Sequence, residues 1–351
     1  MWFDSFSRVE DKGQARDIFE NGRVVRDKGR NYVFTDELVA AVDVAIGLGR
    51  PLLVSGEPGC GKTELGYAIA RRMNIERVHF FSTKSNSESR DLFYAYDALS
   101  RFRDAQARTG DTEKAPDVAD YIEFQALGRA ILDAHSKDDI AHLLRGKRAY
   151  AHPGKPTRSV VIIDEIDKAS RDFPNDLLRE IEDLAFAVPE IGRHRDGAAD
   201  EATPETPGGI PPAGRPIIVV TSNEERQLPD AFLRRCVFHE IAFPNDEILG
   251  RIVASGLEKR LPKAEGAFEL PEADRKLLTA LLAEFRTLAL DKKPGISELI
   301  DAAALLAYPA SEPAPSLPDR LRATMPALAK LRNDRAELSL LIDKTVNQPI
   351  G

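Results

Sequence analysis

The sequence predicts an α/β domain, a parallel sheet flanked by helices, with an all-helical lid domain behind it. Two observations predict this. Apolar runs at 51–55, 77–85, 159–164 and 215–221 read as buried strands, with helical patterns between them. From Asn245 onward strand signals stop and amphipathic helical segments follow. A length of 351 residues suits about two domains, and 42% hydrophobic residues suit a real core.

Residues 1–30 are polar and charged and read as a loose arm or a short helix. The α/β domain runs over 31–244 and opens with "YVFTDELVAAVDVAIGLG", where Leu38, Ala41, Val42 and Ala45 share one helical face. The strand at 51–55 leads into a glycine-rich turn, after which Leu65, Ala68, Ile69 and Met73 repeat at helical spacing. "RVHFFSTKS" (77–85) is a second strand. About 86–155 is longer than a core fold needs and reads as an insertion. It has two amphipathic pieces, "RDLFYAYDALSRFRDAQ" and "ADYIEFQALGRAILDAH", around a polar break near Gly110.

"SVVIIDEIDKAS" is a buried strand ending in Asp164-Glu165, and "FPNDLLREIEDLAF" is helical with Leu177, Leu178, Ile181 and Leu184 in register. Residues 188–216 hold six prolines and five glycines and read as a flexible loop. "RPIIVVTSNEE" (215–225) is a third strand ending in Thr221-Ser222-Asn223. The lid domain, 245–351, includes "PEADRKLLTALLAEFRTLAL", where Leu277, Leu278, Leu281, Leu282 and Phe285 have core spacing.

The turn carries the chemistry. Gly56-Glu57-Pro58-Gly59-Cys60-Gly61-Lys62-Thr63 fits G-x-x-x-x-G-K-[ST] at every fixed position, and Glu64 follows in the helix. Glycines let backbone N–H groups converge on phosphate oxygens, and the helix N-terminus adds its dipole. Lys62 then reaches the β- and γ-phosphates and Thr63 ligates Mg²⁺, so ATP and Mg²⁺ are the implied cofactors. About 100 residues later, Asp164 at a strand tip suits the Mg²⁺ shell and Glu165 suits polarisation of a water. Asn223 ends a strand expected between the other two, near the γ-phosphate. Arg234 and Arg235 stand in tandem in "LPDAFLRRCVFHEIAFP", too far along to serve their own phosphate but placed for an adjacent subunit's.

Together these motifs resemble the AAA+ ATPases, and "TSNEERQLPDAFLRRCVFHEIAFP" resembles a segment of the MoxR branch. The resemblance covers roughly 15–345. It implies that Lys62 and Thr63 are Walker A, Asp164 the Mg²⁺ residue, Glu165 the catalytic base and Asn223 sensor 1. Arg235 is the arginine finger by position in the motif, with Arg234 second. It points to Tyr32 and Val33 beside the adenine, to a hexameric ring, and to a lid that moves with hydrolysis. The sensor-2 arginine has no counterpart in "KKPGISELIDAA", because no arginine occurs between Arg286 and Arg320; Lys292 or Lys293 substitutes, or nothing does.

Three functions follow as expectations. The first is a MoxR-like, chaperone-like remodeller or maturation factor for a protein complex, with a von Willebrand A-domain protein as the implied partner. The second is a nucleic-acid-associated NTPase of restriction or motor type. The third is a slow nucleotide-dependent switch in a defence or signalling system. The net charge of −8 weighs against broad nucleic-acid binding and leaves a local basic patch open. Cys60 and Cys236, too few for a disulfide framework, suit a reducing, cytoplasmic setting. The first residues read as no secretory signal, and no run has membrane-spanning length.

Overall fold

The computed structural model describes residues 6–8, 17–107, 117–146, 150–192, 205–207, 209–260, 284, 287–288, 290, 293–307 and 317–346. The chain divides into two compact units. One comprises residues 1–30, 35–55 and 63–240; the other comprises 31–34, 56–62 and 241–351.

The first unit holds a seven-stranded sheet. Its strands are β1 (Ile18–Glu20), β2 (Arg23–Val25), β3 (Leu52–Gly56), β4 (Arg77–Ser82), β7 (Val160–Asp164), β8 (Ile217–Thr221) and β9 (Val237–Ile241), in the order β2-β1-β4-β7-β8-β3-β9. The pairs β1–β4, β4–β7, β7–β8 and β3–β8 are parallel. Central strands "VVIID" and "IIVVT" are buried along nearly their whole length, as strands covered on both faces require. This order sets the tip of β8 between those of β7 and β3. Helix α1 (Asp36–Leu48) starts on Thr35, whose hydroxyl accepts the Leu38 N–H at 3.3 Å, and helix α2 (Lys62–Arg72) follows β3.

Several elements differ from the sequence expectation. The N-terminal region is no loose arm over 18–25: β1 and β2 form an antiparallel hairpin that joins the sheet. Asn21 and Gly22 turn it with φ of 47° and 86°, both left-handed, as a two-residue hairpin of Asn-Gly type demands. The insertion begins its two pieces with strands, β5 (Tyr94–Tyr96) and β6 (Ile122–Phe124), paired antiparallel, before α3 (Ala98–Gln106) and α4 (Ala126–Asp133). The helix expected over 173–186 is broken into α5 (Phe173–Asp176) and α6 (Leu178–Asp183), and Leu184 ends it at φ 48°. Residues 193–204 and 208 of the expected flexible loop lie outside the described residues. Its flanks are packed: α7 (Pro189–Gly192) carries buried Ile191, and Thr206 and Ile210 are buried. One helical turn, α8 (Asp230–Leu233), precedes β9 and buries Phe232.

The insertion is tied to the sheet by a buried polar network. Asp133, fully buried on α4, accepts from Arg77 Nε at 2.8 Å and from His79 Nε2 at 2.8 Å on β4, and from the Tyr150 hydroxyl at 2.9 Å. Arg77 also donates to the Tyr150 hydroxyl. Nε2 carries a proton, since the carboxylate can only accept, and Nδ1 has no hydrogen-bond partner among the described residues.

The second unit has its own core. Leu249 and Val253 of α9 (Asp246–Arg260) pack with Leu299 and Ala303 of α10 (Ile296–Ala307), Leu321 and Leu328 of α11 (Leu317–Leu328), and Leu338 and Ile342 of α12 (Arg332–Val346). The expected core leucines 277, 278, 281 and 282, with Phe285, lie outside the described residues. No helix among the described residues is long and apolar enough to cross a membrane.

Burial pushes the His79 pKa below its ordinary value, against the pull of Asp133. The unfolded chain therefore takes up this proton first as pH falls. The contribution is intact above about 6.5 and is lost as pH drops from there toward the lower folded value. Urea midpoints at pH 7.5 and 5.5 should show a larger fall for the wild type than for His79→Gln, which keeps a donor to Asp133. Asp133→Ala strips Arg77 and His79 of their acceptor and should cost about 3 kcal/mol or more in the same measurement.

Candidate nucleotide site

The glycine-rich turn lies in the second unit. Gly56, Gly59 and Gly61 have φ of 144°, 79° and 95°, a region that only glycine enters without strain. The buried Lys62 ammonium donates to the Gly56 and Glu57 carbonyls at 2.7 and 2.9 Å and reaches Cys60 Sγ at 4.0 Å. Burial pushes the Cys60 thiol up and the neighbouring Lys62 charge partly offsets this, so Cys60 is a buried thiol and not a reactive thiolate. Tyr32 and Val33 belong to the same unit. The Tyr32 ring approaches within 3.4 Å of where a side chain on Gly61 would stand, and Val33 is half-buried.

The strand tips of the first unit converge on carboxylates. Asp164 Oδ1 accepts from the Thr63 hydroxyl at 2.7 Å and the Thr221 hydroxyl at 2.8 Å. Thr221 in turn accepts the Glu165 N–H at 2.9 Å. Glu165 sits in the left-handed region at φ 56°, ψ 52°, which turns the chain sharply off β7. Its Oε1 accepts from Asn223 Nδ2 at 3.0 Å and its Oε2 from Lys168 Nζ. Asp167 is 3% exposed and accepts the backbone N–H groups of Asn223 at 3.2 Å and Glu225 at 2.9 Å, fixing the loop after β8. A hydroxyl and a carboxylate 2.7 Å apart form a hard oxygen donor set of the kind Mg²⁺ takes with phosphate and water. The residues present fit Mg²⁺.

A family model described as "ATPase family associated with various cellular activities (AAA)" matches residues 52–245. The chain belongs to the AAA family. No curated protein matches it significantly. Solved structures found similar include a variant of Thermotoga maritima RuvB, at 15% identity and TM-score 0.45, covering 90% of this chain and 76% of that one. A further RuvB structure from Thermotoga maritima, titled a Holliday junction branch migration motor, matches at 14% and 0.44 over 90% and 76%. PCH-2 from C. elegans matches at 15% and 0.42 over 89% and 73%.

These findings correct the expected function. The family match reaches AAA and not its MoxR branch, and the structures named above are RuvB and PCH-2, not MoxR-type chaperones. The chaperone-like remodeller is withdrawn.

The AAA chain places its remaining candidates as follows. Glu64 accepts the Gly29 N–H at 2.6 Å, so it anchors the turn before α1. Arg235 donates through Nε to Glu182 at 2.6 Å, while Arg234 is exposed. Lys293 is exposed and Lys292 lies outside the described residues. At the start of α10, Ser297 touches the glycine-rich turn: its hydroxyl donates to the Gly59 carbonyl at 3.3 Å. A side chain on Gly295 would meet the Pro58 carbonyl at 2.7 Å, so glycine is required there.

Thr221, Asp167, Lys168 and Ser297 were not singled out from sequence. Asp167 had a signal: a further acid two residues after Asp164-Glu165, between Ile166 and Lys168. Asp167→Asn swaps one acceptor oxygen for a donor facing the same N–H groups. Bonds to charged groups are worth about 1.5–3 kcal/mol, so turnover should fall about 10- to 100-fold as the Asn223 loop loosens. ATP affinity measured by titration should stay within about threefold, since the glycine-rich turn is untouched; an equal loss in both would assign Asp167 to folding alone.

Proposed function

We propose that this chain is an Mg²⁺-dependent ATPase. The observation carrying this is the Thr63 hydroxyl seated on Asp164 Oδ1, with Glu165 and Asn223 paired beside it. In this reading the backbone of 56–62 and Lys62 hold the phosphates, and Tyr32 and Val33 lie against the adenine. Mg²⁺ would be held by Thr63 and Asp164, where it supplies charge neutralisation on the phosphates. Glu165 accepts the proton of the attacking water and Asn223 holds Glu165 in line. Arg235, or Arg234, comes from a second copy in a ring and stabilises charge in the transition state. Arg235 must leave Glu182 to do so.

The work coupled to hydrolysis is read as nucleic-acid-associated. A cleft of about 350 Å³ beside the Asn223 loop favours this class, because the exposed Arg171 and Arg226 both line it. Guanidinium forks suit phosphate oxygens, and a local pair of this kind is compatible with an acidic chain. Duplex DNA should then raise turnover, and the stimulation should weaken as salt rises, with a log–log slope of about −2 if each arginine meets one phosphate. Arg171→Ala with Arg226→Ala should abolish the stimulation. Indifference to duplex and single-stranded DNA alike would remove this reading and leave the ATPase.

Lys62→Ala should abolish ATP binding, whereas Glu165→Gln should bind ATP without turnover; wild-type turnover in Glu165→Gln would show that Glu165 is not the base. Arg235→Ala should cut turnover by about 10³-fold or more with affinity little changed. Mixing it with Lys62→Ala should restore part of the activity, because some interfaces regain one intact copy of each residue. A mixed oligomer that stays inactive would remove the trans arginine.

A further inference from the structure

Helix α10 is entered through Gly295, whose carbonyl accepts the Leu299 N–H at 3.1 Å. Glu298, three residues on, reaches back: its Oε2 accepts the Gly295 N–H at 2.8 Å, the return half of a capping box. Its Oε1 meets Lys330 Nζ, between α11 and α12, at 3.1 Å. The first turn is thus tied down within the second unit. It faces two carbonyls of the glycine-rich turn, which belongs to the same unit. The Pro58 oxygen stands 2.7 Å from where a side chain on Gly295 would be, and the Gly59 oxygen accepts the Ser297 hydroxyl at 3.3 Å.

We propose that Ser297 is a positioning residue that fixes the Gly59–Cys60 peptide so that the Cys60 N–H serves the phosphates. This rests on the reading of 56–62 as the phosphate-holding backbone. A trans peptide is planar and sets its C=O and N–H on opposite sides. With the Gly59 carbonyl turned to α10, the Cys60 N–H points away from that helix. It makes a long bond, 3.3 Å, to the Glu57 carbonyl, which an anion displaces at small cost. The reverse orientation would aim a carbonyl oxygen at the phosphate and repel it. Gly59, at φ 79°, has no Cβ to oppose such a flip, so the restraint has to come from outside the turn. Ser297 supplies it, because rotating the peptide breaks the bond to its hydroxyl. The approach is close: a side chain on Gly59 would meet Ser297 Oγ at 3.1 Å.

Binding is read by displacing a fluorescent ATP analogue from the full chain, in Mg²⁺, with ATP and with inorganic tripolyphosphate. Ser297 is exposed, so its truncation leaves no cavity. Ser297→Ala should weaken both ligands by the same factor, about three- to tenfold, the size one neutral hydrogen bond carries. KM for ATP should rise alike while kcat stays within about twofold. Ser297→Thr keeps the hydroxyl and should bind both ligands as the wild type does. The chain has two cysteines, so selective ¹⁵N-cysteine labelling gives two amide signals, and Cys60→Ser assigns them. Tripolyphosphate should shift the Cys60 amide. Unchanged affinities in Ser297→Ala, a loss for ATP alone, an equal loss in Ser297→Thr, or a Cys60 amide that tripolyphosphate leaves unmoved would overturn the proposal. A wild type that binds neither ligand overturns the ATPase reading and this inference with it; a wild type that binds both, with Ser297→Ala its equal, overturns the inference alone.

Discussion

One oxygen organises the first unit. Asp164 Oδ1 receives two hydroxyls, Thr63 from the start of α2 and Thr221 from the end of β8, and it stands at the end of β7 itself. Three elements with no sequence proximity are thereby fixed at their tips. The parallel order β7-β8-β3 makes this geometry available, since all three strands end on the same edge. Thr221 also accepts the Glu165 N–H, so the neighbouring acid is oriented from the same point. A carboxylate with two neutral donors keeps lone pairs for a cation, which is why the arrangement suits Mg²⁺ without further acids.

Much of this was legible in the sequence because the central strands are covered on both faces. Continuous apolar runs such as "VVIID" and "IIVVT" can be little else at that length, and the glycine spacing of 56–63 has a mechanical reason. The family followed from the same residues. The branch within the family did not, because a resemblance in one loop segment records shared ancestry of the fold more readily than shared work. The edges were harder to read. β1 and β2 are three residues each, below the length at which alternation declares itself, and only Asn21-Gly22 marked them. In the insertion, "YAY" and "IEF" were absorbed into helical patterns that begin a few residues later.

The site's finer contacts were hidden for a different reason. Lys168 meets Glu165 only because Glu165 adopts left-handed backbone and the next turn is 3₁₀. An α-helical reading would have paired different residues. Ser297 lies 238 residues from Gly59, and nothing local to either announces the contact. The same holds for Asp133, whose burial is tolerable only because Arg77, His79 and Tyr150 arrive from two other segments.

The second unit has a consequence for how this chain can be cut or recombined. Its core and its contacts bring together three stretches, 31–34, 56–62 and 241–351, with Gly295 and Ser297 seated on the loop at Pro58 and Gly59. A boundary drawn after residue 244 would separate the glycine-rich loop from the helix its backbone is shaped against. Exchange of the helical region with that of another AAA protein would have to carry the loop and the Tyr32 segment along, or match a glycine and a small hydroxyl residue at the first turn of the incoming helix. The helical region is thus inherited as part of the loop's own wall, and the two have to change together.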